Sequence, residues 1–274
     1  MSRDNQKKIA VINDFCGFGR CSIAVSLPII SALKIQCCPL PTSIFSNHTG
    51  YDSFYYTDYT ENMEAYFNEW KKLDLKFNGI LTGFLGSASQ VEIVRAFLRE
   101  FDTPNTVTVI DPVMGDHGKL YPTYSRELAE QTFMLVPYAD ILTPNLTEAC
   151  ILTNTEYKAD MSDSELYEIC EKLLTTGAGA VVISGLDRGD VLENFVFEKG
   201  KEAQIIRQKK VGTCRAGTGD VFSSIIAADA VNGLSLTDAV RHASDFIARA
   251  LERTEELGLP ETDGICFEEI LTEI

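Results

Sequence analysis

Short apolar runs alternate with amphipathic segments along the whole chain, and this alternation is the feature that most limits its fold. Strands that alternate with helices of roughly 10–15 residues are typical of a parallel sheet covered by helices on both faces. The predicted strands are residues 9–12, 35–41, 79–83, 106–110, 139–143 and 180–184. The predicted helices are residues 22–32, 61–72, 87–101, 162–176, 218–232 and 236–251. We therefore predict an α/β fold with a mostly parallel central sheet.

One stretch, near residues 191–208, departs from this alternation. Residues 191–198 and 203–208 are strand-like and flank the turn Lys199-Gly200-Lys201, which predicts an antiparallel hairpin. The 274 residues contain no internal repeat and no linker rich in Pro, Gly or Ser. With roughly 100–200 residues per domain as a guide, we expect residues 1–274 to form a single domain.

The charge of the chain excludes several classes of partner. Lys and Arg total 24 and Asp and Glu total 40, so the formal net charge is −16. Nucleic acids and anionic membrane surfaces both attract positive charge, so neither is an expected partner. Residues 1–8 are polar and lead into a strand rather than into the apolar core of a signal peptide. No window approaches the roughly 18 apolar residues of a membrane span, and we expect a cytoplasmic protein.

The cysteines and histidines give little support to a zinc site. The eight cysteines are scattered and include no CxxC pair, and none of the three histidines lies near a cysteine in the sequence. Scattered cysteines within apolar runs are typical of small buried side chains in a reduced compartment.

Polar residues and glycines follow the predicted strands, at the edge where an open parallel sheet binds its ligands. They are Asn13-Asp14, Thr42-Ser43, Thr82-Gly83, Asp111-Pro112, Thr143-Pro144-Asn145 and Ser184-Gly185. Because Asn, Asp, Gly and Pro also end strands for conformational reasons, these residues alone indicate only where a ligand would bind.

Gly217-Thr218-Gly219-Asp220 is more informative, because it stands at the beginning of a predicted helix. The two glycines allow backbone N–H groups to converge at a helix N-terminus, where the helix dipole favours an anion. An aspartate in a first helical turn is often only a partner of that dipole. Beside an anion-binding loop it can also take a proton from an alcohol during phosphoryl transfer. The four residues by themselves leave both interpretations open.

The same four residues resemble the anion-hole and catalytic-base motif of the ribokinase superfamily. Further stretches that resemble the pyridoxal kinase branch are residues 45–51, 81–84, 111–121, 143–149 and 182–184, in family order. The resemblance implies a ribokinase-like fold and an ATP-dependent kinase. It also implies transfer of the γ-phosphate of ATP to the 5′-hydroxymethyl group of pyridoxal, pyridoxine or pyridoxamine.

The resemblance further implies roles for individual residues. Asp220 would be the base for the 5′-hydroxyl group, and the backbone N–H groups of Gly217–Gly219 would hold the γ-phosphate. Asp116 and Glu148 would lie near Mg²⁺, with water between, because Mg²⁺ gives up its hydration reluctantly. The residues implied along the triphosphate channel are Asp111, Thr143, Asn145 and Ser184.

Three residues would line the vitamer site in the same resemblance. Thr49 would hydrogen-bond a ring substituent, although it could instead cap a turn. Phe84 stands where many relatives carry tyrosine, which favours a packing role. Asp14 stands where many pyridoxal kinases carry serine, so its carboxylate could bind the ring or the pyridoxamine amine, or could simply end a strand.

Two residues upstream of the anion hole have open roles. Some relatives closer to hydroxymethylpyrimidine kinases place a cysteine here, where its thiol adds reversibly to the aldehyde of pyridoxal. Cys214 could act in this way or be a small loop residue. Arg215 could reach the phosphates as a mobile clamp.

Several alternatives remain open at this point. A hydroxymethylpyrimidine kinase or a catalytically silent ligand-binding relative would share much of the pattern. The resemblance implies ATP with Mg²⁺, leaves a monovalent cation open and favours a homodimer. The loop Gly17–Ser22 resembles the beginning of a dinucleotide-binding fingerprint, but residues 37–43 contain no acidic residue, so we reject a Rossmann dehydrogenase.

Overall fold

The computed structural model describes residues 5–121 and 123–274, so the first four residues of the polar segment 1–8 lie outside it. The strands are Lys8–Cys16 (β1), Gln36–Phe45 (β2), Tyr56–Asp58 (β3), Gly79–Thr82 (β4), Val107–Ile110 (β5), Gly115–Asp116 (β6), Lys119–Leu120 (β7), Ile141–Leu142 (β8), Ala180–Asp187 (β9), Val191–Glu198 (β10) and Gln204–Lys209 (β11). The α-helices are Ile23–Ala32 (α1), Thr60–Lys72 (α2), Ala88–Phe101 (α3), Arg126–Thr132 (α4), Leu146–Leu152 (α5), Asp163–Thr176 (α6), Thr218–Asn232 (α7) and Leu236–Glu256 (α8). Short 3₁₀ helices lie at Phe133–Tyr138, Glu261–Asp263 and Glu268–Glu273.

Nine of these strands form one sheet in the order β11-β10-β9-β8-β5-β4-β1-β2-β3. The six strands from β9 to β2 in that order are parallel to their neighbours, whereas β10, β11 and β3 are antiparallel at the two edges. The mostly parallel sheet and the hairpin near residues 191–208 are therefore confirmed.

Helices cover both faces of the sheet, as predicted. Successive residues of a strand point to opposite faces, so Ile9 and Val11 pack on one side of β1 while Ala10 and Ile12 pack on the other. The side that includes Ile9 is covered by α1, α7 and α8, and the opposite side by α2 to α6. These two apolar layers hold the strands in register and fix where their carboxyl ends emerge.

The capping signals in the sequence mark the beginnings of two helices correctly. The Ser87 hydroxyl accepts the N–H of Gln90 at the start of α3. Ser162 and Glu165 form a reciprocal capping box at the start of α6, and Gly177 ends that helix with a φ of 133°.

Strands β1 and β2 are longer than predicted. Their parallel pairing continues to Cys16 and Phe45, with an irregularity at Asp14, so Asn13 and Asp14 lie inside β1 rather than after it. The two prolines of β2 are tolerated because β3 pairs with β2 at residues 43–45, beyond both of them. The polar pair Thr42-Ser43 consequently lies within β2.

Strand β9 also extends beyond the predicted end at Ser184. It pairs with the antiparallel strand β10 along its whole length, from Ala180 opposite Glu198 to Asp187 opposite Leu192. Ser184 therefore lies inside the strand, at the point where the parallel pairing with β8 has already ended.

None of the helices in the described part of the chain has both the length and the apolar composition that crossing a membrane requires.

Candidate active site

The glycine-rich segment predicted to bind an anion lies at the N-terminus of α7, as expected from the sequence. Gly217 is the N-cap residue and has a φ of 84°, in the left-handed region that glycine tolerates. The first intrahelical bond runs from the Val221 N–H to the Gly217 carbonyl, at 2.9 Å. The N–H groups of the first turn before Val221 have no acceptor within the helix. They are therefore available to an anion.

Asp220, in the first turn of α7, is held by a donor from β1. The Asn13 amide donates to its carboxylate at 3.1 Å. Burial raises the pKa of Asp220, while the nearby Ser22 backbone N–H and the Asn13 amide oppose the rise. The carboxylate is thus oriented and kept at a basicity above that of an ordinary aspartate, as a proton acceptor requires.

Asn13 joins the candidate site through its contacts, and the sequence analysis gave it no individual role. Its Oδ1 accepts the N–H groups of Asp14 at 2.9 Å and of Phe84 at 2.8 Å, while its amide nitrogen serves Asp220. One buried side chain therefore joins the ends of β1 and β4 to the first turn of α7. The sequence feature that could have drawn attention to Asn13 is its position as the first polar residue after the apolar run of β1.

Asp14 is buried and faces the same region. It accepts a hydrogen bond from the Ser22 hydroxyl at 2.5 Å. Burial raises the pKa of Asp14 to about 7, with a contribution from the charge of Asp220, and the Ser22 hydrogen bond acts against this. Asp14 is therefore no simple turn residue at a strand end, and its charge is sensitive to what binds beside it.

A second group of carboxylates follows β5 and begins α5. Burial raises the pKa of Asp111 well above its usual value, and the charges of Glu148 and Asp220 raise it further. Burial raises the pKa of Glu148 to about 8; the N–H groups of Asn145 and Met114 oppose this, and the charge of Asp116 adds to it. Within the described residues, neither Asp111 nor Glu148 has a cationic side chain as an ion-pair partner.

This oxygen-rich group could hold a divalent cation of the hard class, such as Mg²⁺. Both oxygens of Glu148 already accept backbone N–H groups, from Met114 at 3.0 Å and from Asn145 at 2.8 Å. The carboxylates of Asp111, Asp116 and Glu148 are also not among the described groups whose atoms converge on one ion. The arrangement therefore fits a hydrated cation held through water.

The residues predicted for the triphosphate channel follow the neighbouring strands. Thr143 is buried directly after β8, and Asn145 caps α5. The Asn145 amide donates to the Gly115 carbonyl at 2.8 Å, which ties α5 to the small β6–β7 hairpin that carries Asp116. A bridge pairs Asn145 with Ser184. Together with Asp111, these residues lie along one edge of the sheet, leading to the first turn of α7.

Thr49 lies on an exposed loop, and hydrogen bonds hold the residues on both sides of it in place. The His48 Nδ1 accepts the Gly50 N–H at 3.1 Å, so its Nε2 carries the proton that is donated to the Thr262 carbonyl at 2.7 Å. The Tyr51 hydroxyl donates to Asp263 at 3.0 Å. These contacts tie the loop to the segment near residue 262 and leave Thr49 exposed.

Phe84 has the packing environment expected of it. Its ring lies edge-on to Phe45 and to Tyr124, with centroids 6.0 and 6.4 Å away. Its backbone N–H bonds the same Asn13 side chain that donates to Asp220, and the residue is half-buried.

The hypothesis of a mobile Arg215 clamp is wrong. The Arg215 side chain is buried and donates to the Leu259 and Pro260 carbonyls, both at 2.9 Å, and to Glu255 at 2.9 Å. These bonds fix the chain before the anion hole and turn the guanidinium away from it. Cys214 is exposed.

Known proteins resemble this chain over most of its length. The model of the phosphomethylpyrimidine kinase family matches residues 26–264. A pyridoxine/pyridoxal/pyridoxamine kinase from Bordetella avium is 29% identical over 268 residues, which are 90% of this chain and 86% of that protein.

Solved structures agree with the sequence relatives. A candidate phosphomethylpyrimidine kinase from Bacteroides thetaiotaomicron has a TM-score of 0.96 and 36% identity, covering 100% of this chain and 95% of that one. An orthorhombic form of it, with pyridoxal, has a TM-score of 0.94. Pyridoxal kinase from Lactobacillus plantarum has a TM-score of 0.90 and 25% identity, covering 97% of this chain and 96% of that one.

The family match begins in α1 and ends beyond α8, so it includes strands β2–β11, the carboxylates after β5 and the cap of α7. The predicted ribokinase-like fold and the predicted kinase activity are thereby confirmed. The chain belongs to the phosphomethylpyrimidine kinase family, in the ribokinase-like superfamily of the pyridoxal kinases, and is an ATP-dependent kinase of a vitamin B6 compound or of a pyrimidine.

Proposed function

We propose that this kinase transfers the γ-phosphate of ATP to the 5′-hydroxymethyl group of pyridoxal, pyridoxine or pyridoxamine. The observation that carries the proposal is the pairing of Asp220, oriented by the Asn13 amide, with the N–H groups of its own helix turn that have no acceptor within the helix. A carboxylate beside an anion-binding turn suits an alcohol acceptor and a phosphoryl donor. The form of the Bacteroides thetaiotaomicron relative with pyridoxal supports the choice of acceptor.

In the proposed reaction, Asp220 accepts the proton of the 5′-hydroxyl group while the oxygen of that hydroxyl group bonds to the γ-phosphorus. The bond between that phosphorus and the bridging oxygen of ADP breaks, and ADP leaves with the electron pair. The N–H groups of Gly217–Gly219 stabilise the charge on the oxygens of the transferred group. Because these donors are fixed by the helix, they need no rearrangement during the transfer.

The carboxylates of Asp116 and Glu148 would hold Mg²⁺ through its water ligands. When bound, Mg²⁺ would neutralise charge on the phosphates and help to align them. Thr143, Asn145 and Ser184 would line the path of the triphosphate, and Asp111 would lie between this path and Asp220.

The acceptor would lie between β1, the Thr49 loop and Phe84. Phe84 would pack against the ring, and Thr49 at the rim would bond a ring substituent. Asp14 is the one buried charge proposed to face the ring, so it is the proposed determinant of the preferred vitamer.

A hydroxymethylpyrimidine kinase is the second candidate, favoured by the family match over residues 26–264. A coupled assay of ATP consumption should compare pyridoxal, pyridoxine, pyridoxamine and hydroxymethylpyrimidine at equal concentrations. We expect a higher kcat/KM with at least one vitamer than with the pyrimidine. A preference for the pyrimidine would support the second candidate, and no consumption with any of the four would favour a silent ligand-binding protein.

Glu148→Gln should raise the Mg²⁺ concentration for half-maximal activity by about 10–100-fold, the usual effect of losing an outer-sphere partner of a metal. Glutamine can still accept a backbone N–H but brings no charge to the cation. The measurement is activity against free Mg²⁺ at saturating vitamer.

Glu165→Gln is the matched control, because Glu165 has the same position in the capping box of α6. It should leave the Mg²⁺ requirement unchanged. Equal Mg²⁺ curves for Glu148→Gln and wild type would remove Glu148 from the cation site.

Asp14→Ser should lower kcat/KM for pyridoxamine relative to pyridoxal, because it removes the negative charge that would face the cationic amine. A hydrogen bond to a charged group contributes about 1.5–3 kcal/mol, so the expected relative loss lies between about tenfold and about a hundredfold. The measurement is kcat/KM for all three vitamers at saturating MgATP.

Asp14→Asn is the companion variant, since it removes the charge and keeps the size. Both variants should shift the ratio in the same direction. An equal loss for all three vitamers would mean that Asp14 only shapes the end of β1.

A further inference from the structure

The loop between β1 and α1 brings together Cys16 and Cys21, which are five positions apart in the sequence. It leaves β1 at Cys16 and returns at Ser22, which forms an antiparallel bridge with Phe15. Gly19, Arg20 and Ser22 have positive φ values of 101°, 37° and 58°, which turn the chain back on itself. Cys21 is therefore returned to the end of the strand that carries Cys16.

At this turn, three potential metal ligands face one another. The Sγ atoms of Cys16 and Cys21 and a carboxylate oxygen of Asp14 all lie within 4.8 Å of one another. In residues 5–121 and 123–274 this is the one group of three or more such ligands with that spacing. Both cysteines are free thiols, and the three ligand residues lie at the end of β1 and in the turn that follows it.

We propose that Asp14, Cys16 and Cys21 form a site for Zn²⁺, distinct from the proposed Mg²⁺ site. Tetrahedral Zn²⁺ with Zn–S bonds of about 2.3 Å places two sulfurs ~3.8 Å apart, so small side-chain rotations would complete the site. The chain supplies three ligands, which leaves the fourth position for water, as in open zinc sites.

The donor atoms separate the two sites chemically. Thiolates favour Zn²⁺ over Mg²⁺, while the carboxylates and carbonyls around Glu148 favour the hard cation. The zinc site therefore fills at low Zn²⁺ even where Mg²⁺ is in large excess. The sequence analysis gave zinc little support because the two cysteines are five positions apart, outside the usual CxxC spacing.

The position of the site connects it to the kinase centre. Asp14 would be drawn to the metal, and Ser22, whose hydroxyl bonds Asp14 and whose backbone N–H lies near Asp220, belongs to the same turn. Bound Zn²⁺ would compete with the acceptor for Asp14. This consequence rests on the proposed function, whereas the binding of Zn²⁺ does not.

The test is metal binding by the full chain, reduced, stripped of metal and free of nucleotide. Zn²⁺ is titrated against a chromophoric chelator, and Co²⁺ is used as a spectroscopic probe. We expect one Zn²⁺ per chain, and with Co²⁺ a thiolate-to-metal charge-transfer band together with the visible bands of tetrahedral coordination.

Cys16→Ser and Cys21→Ser should each weaken Zn²⁺ binding by at least about tenfold and reduce the charge-transfer band. Cys214→Ser is the control, because Cys214 is exposed and lies outside the group. Asp14→Asn keeps both thiols, so it should weaken Zn²⁺ binding while retaining the charge-transfer band. This variant tests the site even if a cysteine variant does not fold.

Two results would overturn the proposal. One is a Co²⁺ complex of the wild type without a thiolate band. The other is unchanged Zn²⁺ affinity in folded Cys16→Ser and Cys21→Ser, with a loss in Cys214→Ser instead. Because no vitamer or ATP is present, either result leaves the proposed kinase reaction untouched.

Discussion

Asp220→Asn should lower kcat by about 10²–10⁴-fold, the usual contribution of a general base, while ATP and vitamer still bind. Asparagine keeps the size of the side chain and can still accept from the Asn13 amide, but it cannot take the proton of the alcohol. Because burial raises the pKa of Asp220, its charge is a cost to folding, and the variant should melt at an equal or higher temperature. The measurements are kcat, the dissociation constants of both ligands and Tm.

Asp229→Asn is a suitable control at the other end of the same helix. Asp229 is buried and bonds His242 at 2.7 Å, joining α7 to α8. Its loss should lower Tm and leave kcat close to the wild-type value. An Asp220→Asn protein that retained more than a tenth of wild-type turnover would exclude Asp220 as the base.

Much of the fold could be predicted because the signals that define it are local. Apolar runs bounded by glycine and proline marked the six parallel strands, and capping residues such as Ser87 and Ser162 marked the helix starts. Pairing across strands is not local, however. The extension of β1 through Asn13 and Asp14 depends on its partner β2, which the residues of β1 do not reveal.

The motifs indicated where the candidate site residues lie in the fold, but not the contacts that hold them in place. The residues from Gly217 to Asp220 lie at the beginning of α7 as expected. The segment from Asn145 to Glu148 was interpreted as a metal and nucleotide motif, and it is also the capping box of α5, a helix that the sequence analysis did not predict. Asn145 and Glu148 thus cap α5 and are also proposed to bind nucleotide and cation, so the two patterns overlap in the sequence.

The remaining errors concern contacts between distant parts of the chain. For Arg215 a mobile phosphate clamp was left open, but the carbonyls that hold its side chain belong to residues 44 and 45 positions later. Asn13 gains its role from Asp220, 207 positions away. Such partners are set by the packing of α7 against the sheet, so residue type and spacing alone could not indicate them.

Gly217→Ala should lower both activity and stability, because the anion hole depends on a backbone that only glycine fits. A Cβ at residue 217 would lie 2.1 Å from the Arg20 carbonyl oxygen, and the φ of 84° is itself unfavourable for alanine. The Arg20 backbone has little freedom to withdraw, since its side chain bonds Glu268 at 2.8 Å and the Asp263 carbonyl at 3.1 Å. The cap must therefore shift.

A shifted cap would misdirect the N–H groups that are proposed to hold the phosphoryl oxygens. Loss of one pre-organised donor of this kind costs about 10²–10³-fold in kcat, and we expect a decrease of that size. Strain at a left-handed residue costs about 1–3 kcal/mol, so Tm should fall by several degrees. Steady-state kinetics and a thermal melt measure the two effects.

Gly219→Ala, in the same turn, separates the effect on activity from the effect on stability. A Cβ at residue 219 meets no heavy atom within 4 Å, and this glycine does not have the left-handed φ, so Tm should stay at the wild-type value. The open space in front of it is where the γ-phosphate is proposed to lie, so KM for ATP should rise. If Gly217→Ala instead melted and turned over like the wild type, the cap could not be the rigid anion hole on which the mechanism depends.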